Sequence, residues 1–153
     1  MKALGLIVIV AASLSLAGLS SALAGSSSAP RGATVSTAKT GLGRVIVNGS
    51  GRTLYLFEKD KRGMSACSGA CAGYWPPLLT HGKPRAAGGA KQGLLGTIKR
   101  ANGARQVTYA GHPVYTYVLD TKRGQTSGEG STLFGAGWDA LTPSGKKIEA
   151  DGS

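Results

Sequence analysis

Apolar and polar positions alternate over short stretches separated by glycine-rich turns, the pattern of β-strands with brief connections. Arg44-Val45-Ile46-Val47 reads as a strand, Asn48-Gly49-Ser50-Gly51 as a turn and Thr53-Leu54-Tyr55-Leu56-Phe57 as a second strand, which together predict a hairpin. The plan recurs downstream. Leu94 to Arg100 reads as a strand, Asn102-Gly103 is a two-residue turn signal, Arg105 to Tyr109 pairs back, and Gly111-His112-Pro113 turns into Val114 to Leu119. Aromatic residues stand two apart in each copy, Tyr55 and Phe57, then Tyr115 and Tyr117, so both rings of a copy share one sheet face. Leu54 and Leu56 point to the other face, and the first copy is expected to be covered on both sides. A short helix is expected between Ser65, an N-cap residue, and Tyr74, ahead of Pro76-Pro77. Long helices are disfavoured by 25 glycines among 153 residues, since each costs about 1 kcal/mol inside a helix.

The copies share more than a hydropathy pattern. Gly51 to Asp60 and Gly111 to Asp120 both end in Tyr-x-aromatic-x-x-Asp, with Gly, Tyr, the second aromatic and Asp recurring 60 positions apart. Lys61-Arg62-Gly63 follows the first copy and Lys122-Arg123-Gly124 the second. Trp75 and Trp138, 63 apart, occupy comparable places beyond the copies and are expected to close the core in each. A duplication accounts for these offsets, and repeats of this length each form a supersecondary unit that buries its apolar face against its neighbour. The expected fold is mainly β. Two related antiparallel β-hairpin repeats pack into one small domain at 42–148, with repeat one at about 42–79, a linker over 80–93, repeat two at about 94–143 and one short helix around 65–74.

Met1-Lys2, the apolar run Ala3 to Leu19 and Ala22-Leu23-Ala24 before Gly25 predict an export signal over 1–24. As a membrane span the run is short and interrupted by Ser13, Ser15 and Gly18. Residues 25–41, rich in Ser, Ala, Thr and Gly, have the composition of a flexible tether. Ser26 stands where a lipid-anchored bacterial protein needs Cys, so the expected product is secreted or periplasmic, without a lipid anchor and without a transmembrane segment after cleavage. Without the signal, 17 basic residues face 7 acidic ones, a net charge of +10 spread from Arg31 to Lys147. Such a charge attracts anionic surfaces such as cell-wall polymers, acidic lipopolysaccharide and phospholipid headgroups. Nucleic acid is not an expected partner, because no nucleic-acid-binding motif is present.

Cys67 and Cys71 are the only cysteines, and an exported chain with an even count is expected to oxidise them to a disulfide. On a regular helix residues four apart are not ideally placed for that bond, and Gly69 between them relaxes the backbone. The competing chemistry is a copper site, with Met64, His81 and His112 as partners to the two sulfurs. The sequence lacks the compact Cys-x-x-x-Cys-x-x-x-His-x-x-Met arrangement, and no metal or cofactor is assigned. Asp60 and Asp120 are expected to accept backbone N–H bonds in turns just past their strands, the alternative being a charge-dependent site for neighbouring cations or a polar ligand. Tyr55, Phe57, Tyr115 and Tyr117 are read as core in preference to a platform for sugars, haem or peptide. No nucleophile elbow, zinc-protease pair or phosphate-cradling loop appears, and catalysis is not expected.

The ordered phrases Gly51-Arg52-Thr53-Leu54-Tyr55-Leu56-Phe57, Cys67-Ser68-Gly69-Ala70-Cys71-Ala72, Trp75-Pro76-Pro77-Leu78, Gln106-Val107-Thr108-Tyr109 and Gly111-His112-Pro113-Val114-Tyr115 carry a resemblance. From about Leu42 to Pro143 the chain resembles the bacterial secreted-repeat family of predicted lipoproteins defined by a Tyr-x-(Phe/Trp/Tyr)-x-x-Asp motif. The resemblance implies no established activity. Many relatives are lipid-anchored, and Ser26 departs from that pattern. The reading is an exported cell-envelope binding module that contacts anionic polymers. The alternative is an extracytoplasmic redox or copper-handling protein using Cys67 and Cys71.

Overall fold

The computed structural model of the protein describes residues 31–149 and, apart from them, Gly5. The rest of the expected export signal and residues 25–30 of the expected tether lie outside the described residues.

Strand β1 (Thr34–Thr40) turns into β2 (Gly43–Asn48), the two running antiparallel with Thr37 opposite Ile46. This places a strand where the composition suggests a tether. The Ser and Thr residues of β1 mask an alternation that buries Val35 completely, and hydrogen bonds to β2 order the segment. The same hairpin recurs as β5 (Leu95–Lys99) and β6 (Arg105–Tyr109), with Thr97 opposite Val107. Repeat one therefore begins with β1, upstream of the expected start at 42.

After β2 the chain turns at Asn48, whose side-chain Oδ1 accepts the N–H groups of Ser50 and Arg52 at 3.0 Å each, while Gly51 takes φ 81°. The expected hairpin then persists for little more than a rung, Leu54 N–H to the Ile46 carbonyl at 3.1 Å. Strand β3 (Tyr55–Phe57) leaves β2 and pairs antiparallel with β8 (Trp138–Ala140) of the other repeat, Tyr55 opposite Ala140 and Phe57 opposite Trp138. The cause is edge occupancy. One edge of β2 is filled by β1, and on the other the Ile46 N–H already donates to the Leu141 carbonyl at 2.9 Å.

Repeat two reciprocates. Val107 N–H donates to the Leu78 carbonyl at 2.8 Å, Val114 N–H to the Val107 carbonyl at 3.1 Å, and Tyr115 pairs with Pro77. Each repeat's aromatic segment is thus completed by the chain that follows the tryptophan of the other. The repeats meet where Tyr55 and Tyr115 exchange both backbone hydrogen bonds, at 2.9 and 3.0 Å, so an approximate two-fold axis passes between these tyrosines.

The remaining elements fasten this crossed pair. Helix α1 (Ala70–Tyr74) is a single short turn that starts after Gly69, later than the expected start near Ser65, whose hydroxyl is engaged elsewhere. Strand β4 (Arg85–Ala86) lies in the expected linker and pairs parallel with β1. Strand β7 (His112–Pro113) pairs with β6. No helix among the described residues is long and apolar enough to cross a membrane.

Two apolar clusters lie on the two faces of the central strands, as the alternation in the sequence predicts. Leu54 and Leu56 join Ile46, Val107, Tyr109, Val114 and Leu141 on one side. Tyr55 and Phe57 join Trp75, Tyr115, Tyr117 and Trp138 on the other. The tryptophans do not close two separate cores. They stack on each other at 3.9 Å and 3°, with Phe57 on Trp138 at 4.1 Å and Tyr117 on Trp75 at 4.2 Å. Four rings, two from each repeat, thus form one column, and burying large rings in a single stack makes the repeats depend on each other for their core.

Candidate functional site

The Tyr-x-aromatic-x-x-Asp motif acts between repeats. Tyr55 donates its hydroxyl proton to Asp120 Oδ2 at 2.6 Å, and Tyr115 donates to Asp60 Oδ2 at 2.7 Å. The second oxygen of each carboxylate accepts a backbone N–H from the following loop, Ser127 to Asp120 at 2.9 Å and Ala66 to Asp60 at 2.7 Å. The expected turn-acceptor role is present at both aspartates. The crossed side-chain bond is what the sequence did not disclose, since Tyr and Asp of one copy are five residues apart and suggest a local partner. Burial first, and then the facing carboxylate, raises the Tyr55 hydroxyl far above the ordinary phenol value of 10. Tyr115 is raised by burial and by Asp60, against an opposing hydrogen bond from Ser65. Both phenols remain neutral donors. Tyr55, Phe57, Tyr115 and Tyr117 are all buried, which makes them core.

The two latches differ in access. Asp120 is fully buried, and Arg52 donates a guanidinium N–H to its backbone carbonyl. Asp60 is only partly buried and borders a groove of about 790 Å³ together with Phe57, Glu58, His112, Lys146 and Lys147. It also borders a smaller hollow of about 230 Å³ with Arg62 and Gly111. Burial pushes the Asp60 carboxyl up from 3.8, opposed by the Ala66 N–H, the Tyr115 hydroxyl and the positive charge of Arg100. His112, which occupies the place of Arg52 in the other repeat, is exposed, yet partial desolvation of its ring and then Arg62 hold it below 6.5, with Asp60 pulling the other way.

Arg100 organises the loop around the first latch, a role its place in the sequence does not announce. Its guanidinium donates to Ser65 Oγ at 3.0 Å, Gln106 Oε1 at 2.6 Å and the Cys67 carbonyl at 2.5 Å. Because the Tyr115 proton goes to Asp60, Ser65 is the donor in its 2.7 Å bond with the Tyr115 oxygen. Cys67 and Cys71 form the expected disulfide, with Cα atoms 5.2 Å apart and both sulfurs within the aromatic cluster. Gly69 between them has φ 57°, the left-handed region that glycine enters without a side-chain clash. Met64 is exposed near Cys67, and no group of three or more His, Cys, Asp or Glu residues is gathered among the described residues.

The acids are largely consumed in holding the fold. Asp60 and Asp120 serve the latches, and Glu129 Oε2 accepts the Ala140 N–H at 2.7 Å. Glu58 and Lys147, 2.9 Å apart across the groove, form the one salt bridge among the described residues. That contact lowers the Glu58 pKa and raises that of Lys147.

The family model described as a secreted repeat of unknown function matches the chain twice, over residues 36–79 and 96–142. Both matches begin inside the paired strands β1 and β5, in agreement with the structural repeat. No curated protein and no solved structure matches the chain.

Proposed function

The chain belongs to the family of secreted repeats of unknown function, and we propose that it is an exported, non-catalytic binding module of the cell envelope whose cationic surface contacts anionic polymers. The observation that carries this reading is the separation of charge. Eighteen basic residues oppose seven acidic ones in the whole chain, and three of those acids, Asp60, Asp120 and Glu129, point into the fold to hold tyrosines and backbone amides. The excess of basic residues sets up a long-range positive field, and acids that face inward leave the outward cations without near neighbours of opposite sign. The fold suits such a role, because the crossed repeats, the four-ring column and the disulfide hold the surface rigidly, so little ordering entropy is lost on contact.

The test is co-sedimentation of the mature protein with purified envelope material across a salt series. Retention at low ionic strength is expected to fall steeply as the Debye length shrinks from about 10 Å at 0.1 M to about 3 Å at 1 M salt. Retention that added salt leaves unchanged overturns the reading.

A further inference from the structure

One surface arrangement occurs twice. In the β1–β2 hairpin Lys39 stands directly opposite Arg44, and in the β5–β6 hairpin Lys99 stands directly opposite Arg105. Directly opposed like charges share a sheet face and destabilise the pair. All four side chains are exposed, and none takes part in the one salt bridge among the described residues. In each hairpin the arginine is steered by a threonine two residues before the lysine. Arg44 Nη1 donates to Thr37 Oγ1 and Arg105 Nη2 to Thr97 Oγ1, both at 3.2 Å. Thr, Lys and Arg are thus the same in both repeats, while the residue between Thr and Lys is Ala38 in one and Ile98 in the other.

We propose that each Thr-x-Lys strand with its facing Arg is an anion clamp, so that one molecule carries two equivalent sites for the phosphate or carboxylate groups of a linear polyanion. With one guanidinium N–H on threonine, the fork keeps its other N–H groups for an anion, and the lysine stands at the facing position on the same sheet face. An anion placed there accepts charge-assisted bonds from both and removes their repulsion. Beside the lysines, hollows of about 390 Å³ (Lys39 with Ser36, Asn48 and Arg123) and about 460 Å³ (Lys99 with Ser65, Ser68 and Arg100) have no Asp or Glu in their linings, and Arg44 and Arg105 lie outside both linings. The inference rests on the envelope-binding reading for its biological ligand, and the clamps themselves are testable without it.

The experiment is a titration of the full mature protein with tripolyphosphate, and in parallel with a trimeric uronate, followed by backbone amide shifts. Two separate sets of amides, around 37–44 and 97–105, are expected to shift and saturate at similar concentrations. Lys39→Gln with Arg44→Gln is expected to weaken the first site about tenfold or more and leave the second, and Lys99→Gln with Arg105→Gln the converse. Lys59→Gln with Lys122→Gln removes the same charge from exposed positions and is expected to leave both sites intact. Response to only one of the two ligands assigns the anion class. Response to neither, or shifts that weaken equally in the Lys59/Lys122 control, overturns the clamps. In the co-sedimentation assay, salt-sensitive retention of wild type that persists when Lys39, Arg44, Lys99 and Arg105 are all replaced by Gln keeps the envelope reading and overturns the clamps as its contact. Wild type that is never retained overturns the envelope reading, and the titration still decides the clamps.

Discussion

The latch at Asp120 and the latch at Asp60 are made of the same residues and have different surroundings. Each carboxylate receives a tyrosine hydroxyl from the other repeat and a backbone N–H from its own following loop. Around Asp120 the cover is complete. Arg52 caps the backbone, and Gly128 lies so close to the column that an added Cβ would come within 2.7 Å of Trp75 and 3.0 Å of Tyr55. Around Asp60 the corresponding loop is fastened at a distance, by the Cys67–Cys71 disulfide and Arg100, and the carboxylate keeps contact with solvent through the groove it shares with His112. A duplicated motif therefore secures the association of the repeats twice, while the unduplicated loops decide that one carboxylate is sealed and the other accessible.

The largest effect that tests this contrast is Tyr55→Phe against Tyr115→Phe. Tyr55→Phe leaves a fully buried Asp120 oxygen without a partner and is expected to cost about 3 kcal/mol in urea unfolding, while Tyr115→Phe is expected to cost about 1 kcal/mol because water reaches Asp60. Equal losses would break the comparison. Next in size, Cys67→Ala with Cys71→Ala is expected to cost about 2 kcal/mol by lengthening the unfolded ensemble. Its sharper readout is hydrogen exchange, which should quicken at the Ala66 amide and not at the Ser127 amide if the disulfide serves the Asp60 latch alone.

The smallest effect concerns pH. His112 is held below 6.5 in the fold, so on acidification the unfolded chain takes up this proton first. Its contribution to stability is full above about 6.5 and is lost as pH falls through the window down to the folded value, by a few tenths of a kcal/mol once solvent screening of this exposed side chain is counted. His112→Asn is expected to flatten that slope, and a stability that instead rises on acidification through the window would reverse the assignment.

Much of this arrangement is legible along the chain. The period-two aromatics and leucines of Thr53 to Phe57 correctly assign the two faces of β3, and the 60-residue offset marks the repeats. That offset also contains β1, since Thr37 and Lys39 recur as Thr97 and Lys99, but the Ser- and Thr-rich composition of 25–41 draws attention away from it. The hairpin from Arg44 to Phe57 fails beyond its turn for a reason no local pattern contains, namely that the free edge of β2 is occupied by Leu141.

The sequence alone determines the repeat, the β character, the disulfide partners and the excess of positive charge, because each is written in residue identity and short-range spacing. Only the tertiary structure decides that the repeats are completed by each other's segments, that the tyrosines and aspartates bond crosswise, that Trp75 and Trp138 stack, and that lysine faces arginine in both hairpins without an acid between them. Those facts depend on which edges and faces remain unfilled once the local elements have formed. A chain of alternating residues specifies its faces but leaves open which distant segment will cover them.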